Sequence, residues 1–273
     1  MRNVVDDARR SEKQAVKPAV TAAHSKKTGS WLVFLALVVF WQGVSAARLV
    51  PPYMLPGPLE VGLALLHDFP LLVRHSCRTL FEALTGLALG IAAAFVLALS
   101  MDASRRLKSM VSPLLLLTQT IPTVALAPLL VLWMGFGPAP KIALVFLTCF
   151  FPAAIALLNG FEDADPDAIR LLRSMGASKP QIYRYIKIPG SLGAFFAGIK
   201  ISGAYAIAAA VIAEWLGGDS GLGVYMTRVR KSYSFDKMFA VIIITAVLSI
   251  ALMKLLECVE RRVTPWNFIR NGV

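Results

Sequence analysis

Six apolar runs, each close to the length of a bilayer crossing, dominate this chain: Trp31 to about Ala47, then 79–101, 111–134, 140–160, 191–214 and 238–258. A membrane-spanning helix needs about 20 predominantly apolar residues, and it satisfies its own backbone hydrogen bonds where no water is present. Six such runs cannot be hidden inside a water-soluble globule of 273 residues. The expected fold is therefore all-α, a polytopic membrane protein with about six transmembrane helices. Composition agrees, with 57% hydrophobic and 16% charged residues against roughly 45–50% and 25% in soluble domains. That balance excludes a soluble enzyme. The net charge of +12 would suit a nucleic-acid binder in a soluble chain. In a membrane chain, basic residues gather in cytoplasmic loops beside anionic lipid. Membrane lipid is an expected partner and nucleic acid is not.

The runs divide the chain. Residues 1–29 are polar, carry seven Lys and Arg residues and read as a disordered basic cytoplasmic tail, without the early apolar core of a signal peptide. Residues 30–265 form the transmembrane domain, and 266–273 a cytoplasmic C-terminal tail. The stretch Pro51-Pro52-Tyr53-Met54-Leu55-Pro56-Gly57-Pro58 reads as an extended connector, because proline cannot continue a helix and biases its predecessor to extended geometry. A short interfacial helix over about 58–68 follows. Gly86 and Gly90 form a GxxxG pair that lets a neighbouring helix approach closely. Pro113, Pro122 and Pro128 all fall in span three, which reads either as a pathway-lining helix opened at its prolines or as one merely kinked. With the N-terminus inside, 19 of the 28 Lys and Arg residues lie in inner segments and 8 in outer segments and their flanks. Both termini are therefore expected in the cytoplasm, although Arg228, Arg230 and Lys231 in the last outer loop run against the trend.

Patterns for catalysis and metal binding are missing. Cys77, Cys149 and Cys258 form no CxxC pair, and His24, His67 and His75 lie outside the long apolar runs, so no disulfide, metal or haem is expected. Gly193 and Gly198 have the glycine spacing of a P-loop, but Ile199 stands where lysine is required. The glycine-rich stretch 217–223 reads as a turn. No HExxH occurs, and no histidine lies in a span to pair with a serine. No enzyme and no cofactor are expected. Three ionisable residues approach the membrane interior: Glu82 in span two, Lys200 in span five, and Glu214 at the outer end of span five. Such groups mark a pathway, or they sit at the interface, where Lys200 can snorkel. Glu214 with Trp215 is a candidate outer gate. Gln119 and Thr120, with Thr118 and Thr123, are candidates to line the route, with interhelical hydrogen bonding as the alternative.

Residues 161–190 are the only long polar segment between spans. Asp165 suits an N-cap, Pro166 the first helical position, and Asp167 the positive end of the dipole. Ile169, Leu172 and Met175 recur at helical spacing, and Gly176 fits a left-handed stop. Ser178 and Gln181 have capping-box spacing around Pro180, and Pro189 is expected to end the second helix. The segment reads as helix–Gly turn–helix.

Gly176, Ile186 and Pro189 also fall in the register of the cytoplasmic "EAA" loop of ABC-importer permeases. There EAA is followed by three residues, Gly, nine residues and Ile-x-Leu-Pro. Ile188 replaces the leucine, and Arg170, Leu171 and Leu172 stand in place of EAA. With LPGP at 55–58, TIPTVALAPLLVLWMGFG at 120–137 and AEWLGGDSGLGVYM at 213–226, the chain over about 55–265 resembles permeases of the nitrate/sulfonate/taurine type. Residues 213–226 are most similar to members importing thiamine-precursor pyrimidines.

The resemblance implies a permease subunit in the cell inner membrane with the ABC type I importer fold. It implies pairing with a second copy as a homodimer, with two ABC ATPase subunits and with an extracytoplasmic substrate-binding protein. Arg170, Leu172, Gly176, Ala177, Ser178, Ile186 and Pro189 would belong to the loop that docks on the ATPase. The implied solute is a small polar nutrient, a thiamine-precursor pyrimidine ahead of sulfonate, taurine or nitrate. The rival is a stand-alone ion-coupled secondary transporter, for which inverted repeats and buried coupling acids would be expected. No clear repeat is seen.

Overall fold

The computed structural model describes residues 27–48, 50–51 and 53–266; of residues 27–32, 34 and 119 it describes the backbone alone. The expected tails lie outside these residues, except that 27–29 open the first helix and Trp266 is included. The chain forms two compact units, one ending at Leu59 and the other beginning at Glu60.

In the first unit, α1 (Lys27–Ala46) occupies the first apolar run. The proline-rich connector folds back on the end of this helix. Its carbonyls lack helical partners, and two of them accept side-chain bonds: Trp41 Nε1 donates to Pro56 O at 3.0 Å and Ser45 Oγ to Leu55 O at 3.3 Å. Helix α2 (Pro58–His67) starts at the last proline of the connector and is, as expected, too short to span.

The second unit continues with α3 (Phe69–Ala103), α4 (Arg105–Thr120), α5 (Thr123–Met134), α6 (Pro138–Glu162), α7 (Pro166–Ser174) and α8 (Lys179–Ile182). A π-helical turn (Tyr183–Lys187), α9 (Ile188–Leu216), α10 (Leu222–Lys231) and α11 (Phe235–Val263) complete it. Helices α3, α6 and α11 and the continuous stretch Lys179–Leu216 are long and apolar enough to cross a bilayer; α4 with α5 makes a fifth span if the bent pair counts as one.

Four expectations are corrected. Helix α3 begins ten residues before the expected 79, because Arg74, His75 and Arg78, read as a boundary, belong to its first turns. Span three is two helices meeting at 99°. Pro122 has no N–H and pushes Ile121 to φ −79°, ψ 121°, so the helix stops there, while Pro113 and Pro128 stay inside α4 and α5. Pro189 does not end a helix. The widened turn ahead of it, with Ile188 N bonded to Tyr183 O, carries the helix past a residue that lacks an N–H. Finally, the loop after span five contains α10, which buries Leu222, Tyr225 and Val229.

Helix α6 lies at the centre, packed against α3 and α9. A Cβ on Gly86 would lie 2.6 Å from Val145 Cβ and 2.8 Å from the Ile142 carbonyl oxygen. The α3–α6 crossing therefore requires glycine, the close approach that the GxxxG spacing anticipates. Small buried residues recur along these contacts, including Ala94 and Ala98 of α3, Ala153 of α6, and Ala206 and Ala210 of α9. Ser202 Oγ donates to the Cys149 carbonyl oxygen at 2.8 Å and ties α9 to α6. Large apolar side chains such as Val96, Leu132, Val247 and Ile250 are exposed, as expected of a surface in contact with lipid.

Candidate functional site

Three features stand out: a capped hairpin at one end of the bundle, a groove along it, and a buried ion cluster at the other end.

The hairpin forms as its sequence dictates. Asp165 Oδ1 accepts from the backbone N–H groups of Asp167 and Ala168 at 2.8 and 3.3 Å. Gly176 has φ +83°, with Ala177 N bonded to Leu172 O and Gly176 N to Arg173 O, each at 3.0 Å. This is a Schellman stop, which needs the left-handed conformation that glycine adopts without penalty. Ser178 N then donates to Gln181 Oε1 at 2.7 Å in a capping box. Helix α7 has no buried residue. Arg170 is exposed and, among the described residues, pairs only with Asp167, 3.4 Å away. Leu171 and Met175 project outward and Leu172 is half-buried. Ile186 and Pro189, both half-buried, lie where the hairpin becomes the spanning helix.

That junction is pinned. Asp102, at the end of α3, accepts from Lys187 Nζ at 2.8 and 2.6 Å and from the Tyr183 hydroxyl. The Tyr183 ring stands edge-on to Phe161 of α6 at 6.0 Å. The π turn is thus held to two spans. Asp102→Asn is expected to lower the melting stability by about 1.5–3 kcal/mol, the range for a hydrogen bond to a charged group. It is also expected to speed amide exchange in 183–187. Thermal unfolding and hydrogen–deuterium exchange of the purified protein check both, and unchanged exchange would mean that Asp102 does not hold the turn.

The groove, about 650 Å³, runs between the α4–α5 bend, α6 and α9. Thr118 and Thr123 line it, as the sequence suggested for span three, and are joined by Thr148 and Asn159 of α6 and Tyr205 of α9. Phe151 and Ile155 supply apolar walls. Thr120 is exposed beside the bend, its hydroxyl bonded to Leu117 O at 2.7 Å. The side chain of Gln119 lies outside the described residues. Glu214 and Trp215 are not among the groove's lining; Trp215 borders a separate 230 Å³ cleft with Arg230, Met226 and Met238.

At the far end, Glu82 is fully buried and pairs with Lys141 Nζ at 3.2 Å and Arg78 Nε at 3.0 Å. Glu214 is 2% exposed and accepts from Thr79 Oγ1 at 2.7 Å and Gly223 N at 2.6 Å. Thr79 Oγ1 in turn accepts from Leu222 N at 2.9 Å, and His75 Nδ1 accepts from Gly221 N at 2.9 Å. With Lys141 Nζ 3.5 Å from the Ser220 carbonyl oxygen, four side chains of α3, α6 and α9 thus stitch the glycine-rich loop and the first turn of α10 onto the bundle. Nearby, Asp68 binds the Tyr225 hydroxyl at 2.5 Å and Lys237 Nζ at 2.7 Å. Burial alone would raise the Asp68 carboxyl, but bonds from Lys237, Tyr225 and His67 outweigh it and hold it well below the usual carboxylate range.

Sequence reading missed much of this. Lys141 was read as a flanking charge, yet it is 2% exposed; its one signal is a lone cation at the same end as Glu82. His75, read as lying outside the spans, is buried on α3. Lys200 pairs with Glu260 of α11 at 2.9 Å, a partner the sequence did not indicate. Nothing in the sequence joins Asp102 to Lys187.

A helical bundle with a polar groove between its spans, a stitched loop at one end and an exposed hairpin at the other has the architecture of a membrane transport permease. Comparison with known proteins places it further. Residues 86–265 match the family described as binding-protein-dependent transport system inner membrane component, and the chain belongs to that family. It is 34% identical to the formylaminopyrimidine transport permease protein ThiX of Halalkalibacterium halodurans, over 86% of this chain and 94% of that one. It is 28% identical to the taurine transport system permease protein TauC of Escherichia coli, over 85% and 86%. The fold matches the inward-facing methionine ABC transporter MetNI with a TM-score of 0.64 at 19% identity, over 72% of this chain and 98% of that one. The protein is a multi-pass inner-membrane permease subunit of an ABC importer and not an enzyme.

Proposed function

We propose that two copies of this chain, driven by two separate ATPase subunits, pass a thiamine-precursor pyrimidine from an extracytoplasmic binding protein into the cytoplasm. The observation that carries the reading is the hairpin α7–Gly176–α8. It is rigidly capped, outwardly apolar at Leu171 and Met175, and continuous through the π turn with a spanning helix. A lever of this kind converts ATPase movement into movement of α9. Arg170, Leu172, Gly176, Ala177 and Ser178 form its docking end, and Ile186 and Pro189 its joint. The hairpin faces the cytoplasm together with both termini, and the basic inner segments lie against anionic lipid. Gln119 and Thr120 flank the route at the bend, and Glu214 and Trp215 frame its outer end. Similarity to a formylaminopyrimidine permease supports a pyrimidine over sulfonate, taurine or nitrate. A stand-alone ion-coupled transporter is not favoured, because the family is binding-protein-dependent.

The test has two parts. Single cysteines at Ser11, Ser178 and Ser220 are expected to react from outside intact cells at 220 only; labelling of 178 from outside overturns the orientation. Cells relying on this transporter are expected to take up formylaminopyrimidine and to be poorly inhibited by taurine. Taurine uptake in its place would move the substrate to the sulfonate branch.

A further inference from the structure

Building on the permease reading above, we infer that the groove between the α4–α5 bend, α6 and α9 is a selective solute site that accepts a flat, uncharged, hydrogen-bonding heterocycle and rejects anions. The inference starts from what lines it. None of the lining residues carries a charge at neutral pH. Lys200, next in the chain to the lining residue Ile201, is committed to Glu260 of α11. An anion seated against these residues would exchange part of its hydration for no opposite charge, whereas a neutral polar group has its hydrogen bonds replaced.

The replacements are present. The Asn159 amide and the Tyr205 hydroxyl line the groove and have no hydrogen-bond partner among the described residues. The Thr118 and Thr148 hydroxyls donate to their own helix, to Leu115 O and Leu144 O at 2.8 Å each. Their lone pairs remain open as acceptors. Pro152, also in the lining, has no N–H, so the Thr148 carbonyl four residues earlier lacks its usual helical donor. The groove therefore offers an amide and a phenol that donate and accept, beside hydroxyl and carbonyl acceptors. The Phe151 and Tyr205 rings supply aromatic surface for a flat ring. A volume of about 650 Å³ falls within the usual range for small-molecule sites, about 300–1,000 Å³. An aminopyrimidine, flat and neutral with donors and acceptors on its edge, has this chemistry. A sulfonate or nitrate has acceptors and a full negative charge.

Ligand-detected NMR on the assembled transporter in phosphatidylcholine nanodiscs, with formylaminopyrimidine, cytosine and ethanesulfonate as separate probes, tests this. Saturation transfer is expected to the two pyrimidines and not to ethanesulfonate. Asn159→Leu and Tyr205→Phe are each expected to weaken pyrimidine binding about three- to tenfold, the value of a lost hydrogen bond, with ATPase co-purification unchanged. Asn159→Arg is expected to create ethanesulfonate contact. Ethanesulfonate binding to the unaltered groove, or pyrimidine binding indifferent to both variants, overturns the inference. Failure to co-purify with an ATPase would instead count against the permease reading. Binding of cytosine but not of formylaminopyrimidine would uphold the groove chemistry and remove only the particular solute.

Discussion

Lys141→Met is expected to be the most destabilising single substitution in the bundle, lowering the unfolding free energy by about 3 kcal/mol. Lys141 and Glu82 are 2% and 0% exposed at the side chain. Removing one partner of a buried pair leaves the other charge without compensation, typically at a cost of about 3–5 kcal/mol. The lower end applies here because Arg78, 36% exposed at its side chain, still reaches Glu82 at 3.0 Å. Lys141 Nζ also lies 3.5 Å from the Ser220 carbonyl oxygen, so the glycine-rich loop is loosened as well. Glu82→Gln in the Lys141→Met background removes the stranded charge and is expected to restore most of the loss. Thermal unfolding of the single and double variants in detergent measures the coupling. Additive losses would show that Lys141 and Glu82 do not stabilise each other.

Gly176→Val is expected to reduce coupled uptake on the order of tenfold while the protein inserts and folds normally. The two effects separate because of the local geometry. A Cβ at Gly176 meets nothing within 4 Å, so no packing inside the subunit is disturbed. The residue has φ +83°, however, and a left-handed conformation costs a non-glycine residue about 1–2 kcal/mol. The chain can relieve that strain only by distorting the stop between α7 and α8, the end proposed to dock on the ATPase. Uptake, ATPase co-purification and melting temperature measured on the same membranes check this. Full uptake with full association would remove the coupling role from the turn.

The hairpin shows how much is legible when interactions are local. Asp165, Gly176, Ser178 and Gln181 act on backbone groups within three or four residues of themselves, so residue type and spacing suffice to predict the two helices and the turn. The apolar runs are legible for a related reason. A helix in lipid satisfies its backbone internally, and run length alone sets where one can cross. Proline effects were only half legible. Pro122 splits span three in two, where the sequence suggested one helix opened or kinked at its prolines, whereas Pro189 is passed because a π turn precedes it, and that turn is held by Asp102, 81 and 85 residues from its partners.

The long-range pairings are of a different kind. Glu82 was visible as an acid in an apolar run, but its partner Lys141 lies 59 residues away, and Glu214 meets Thr79 across 135. The groove likewise gathers Thr123, Asn159 and Tyr205 from separate helices, and only Thr123 was anticipated. By itself the sequence determined the all-helical class, the apolar runs, the capped turn and the family resemblance, since these follow from local backbone chemistry and from length. The tertiary structure decided which charges neutralise one another and which polar groups stay free to meet a solute, because both depend on distances set by how α3, α6 and α9 pack.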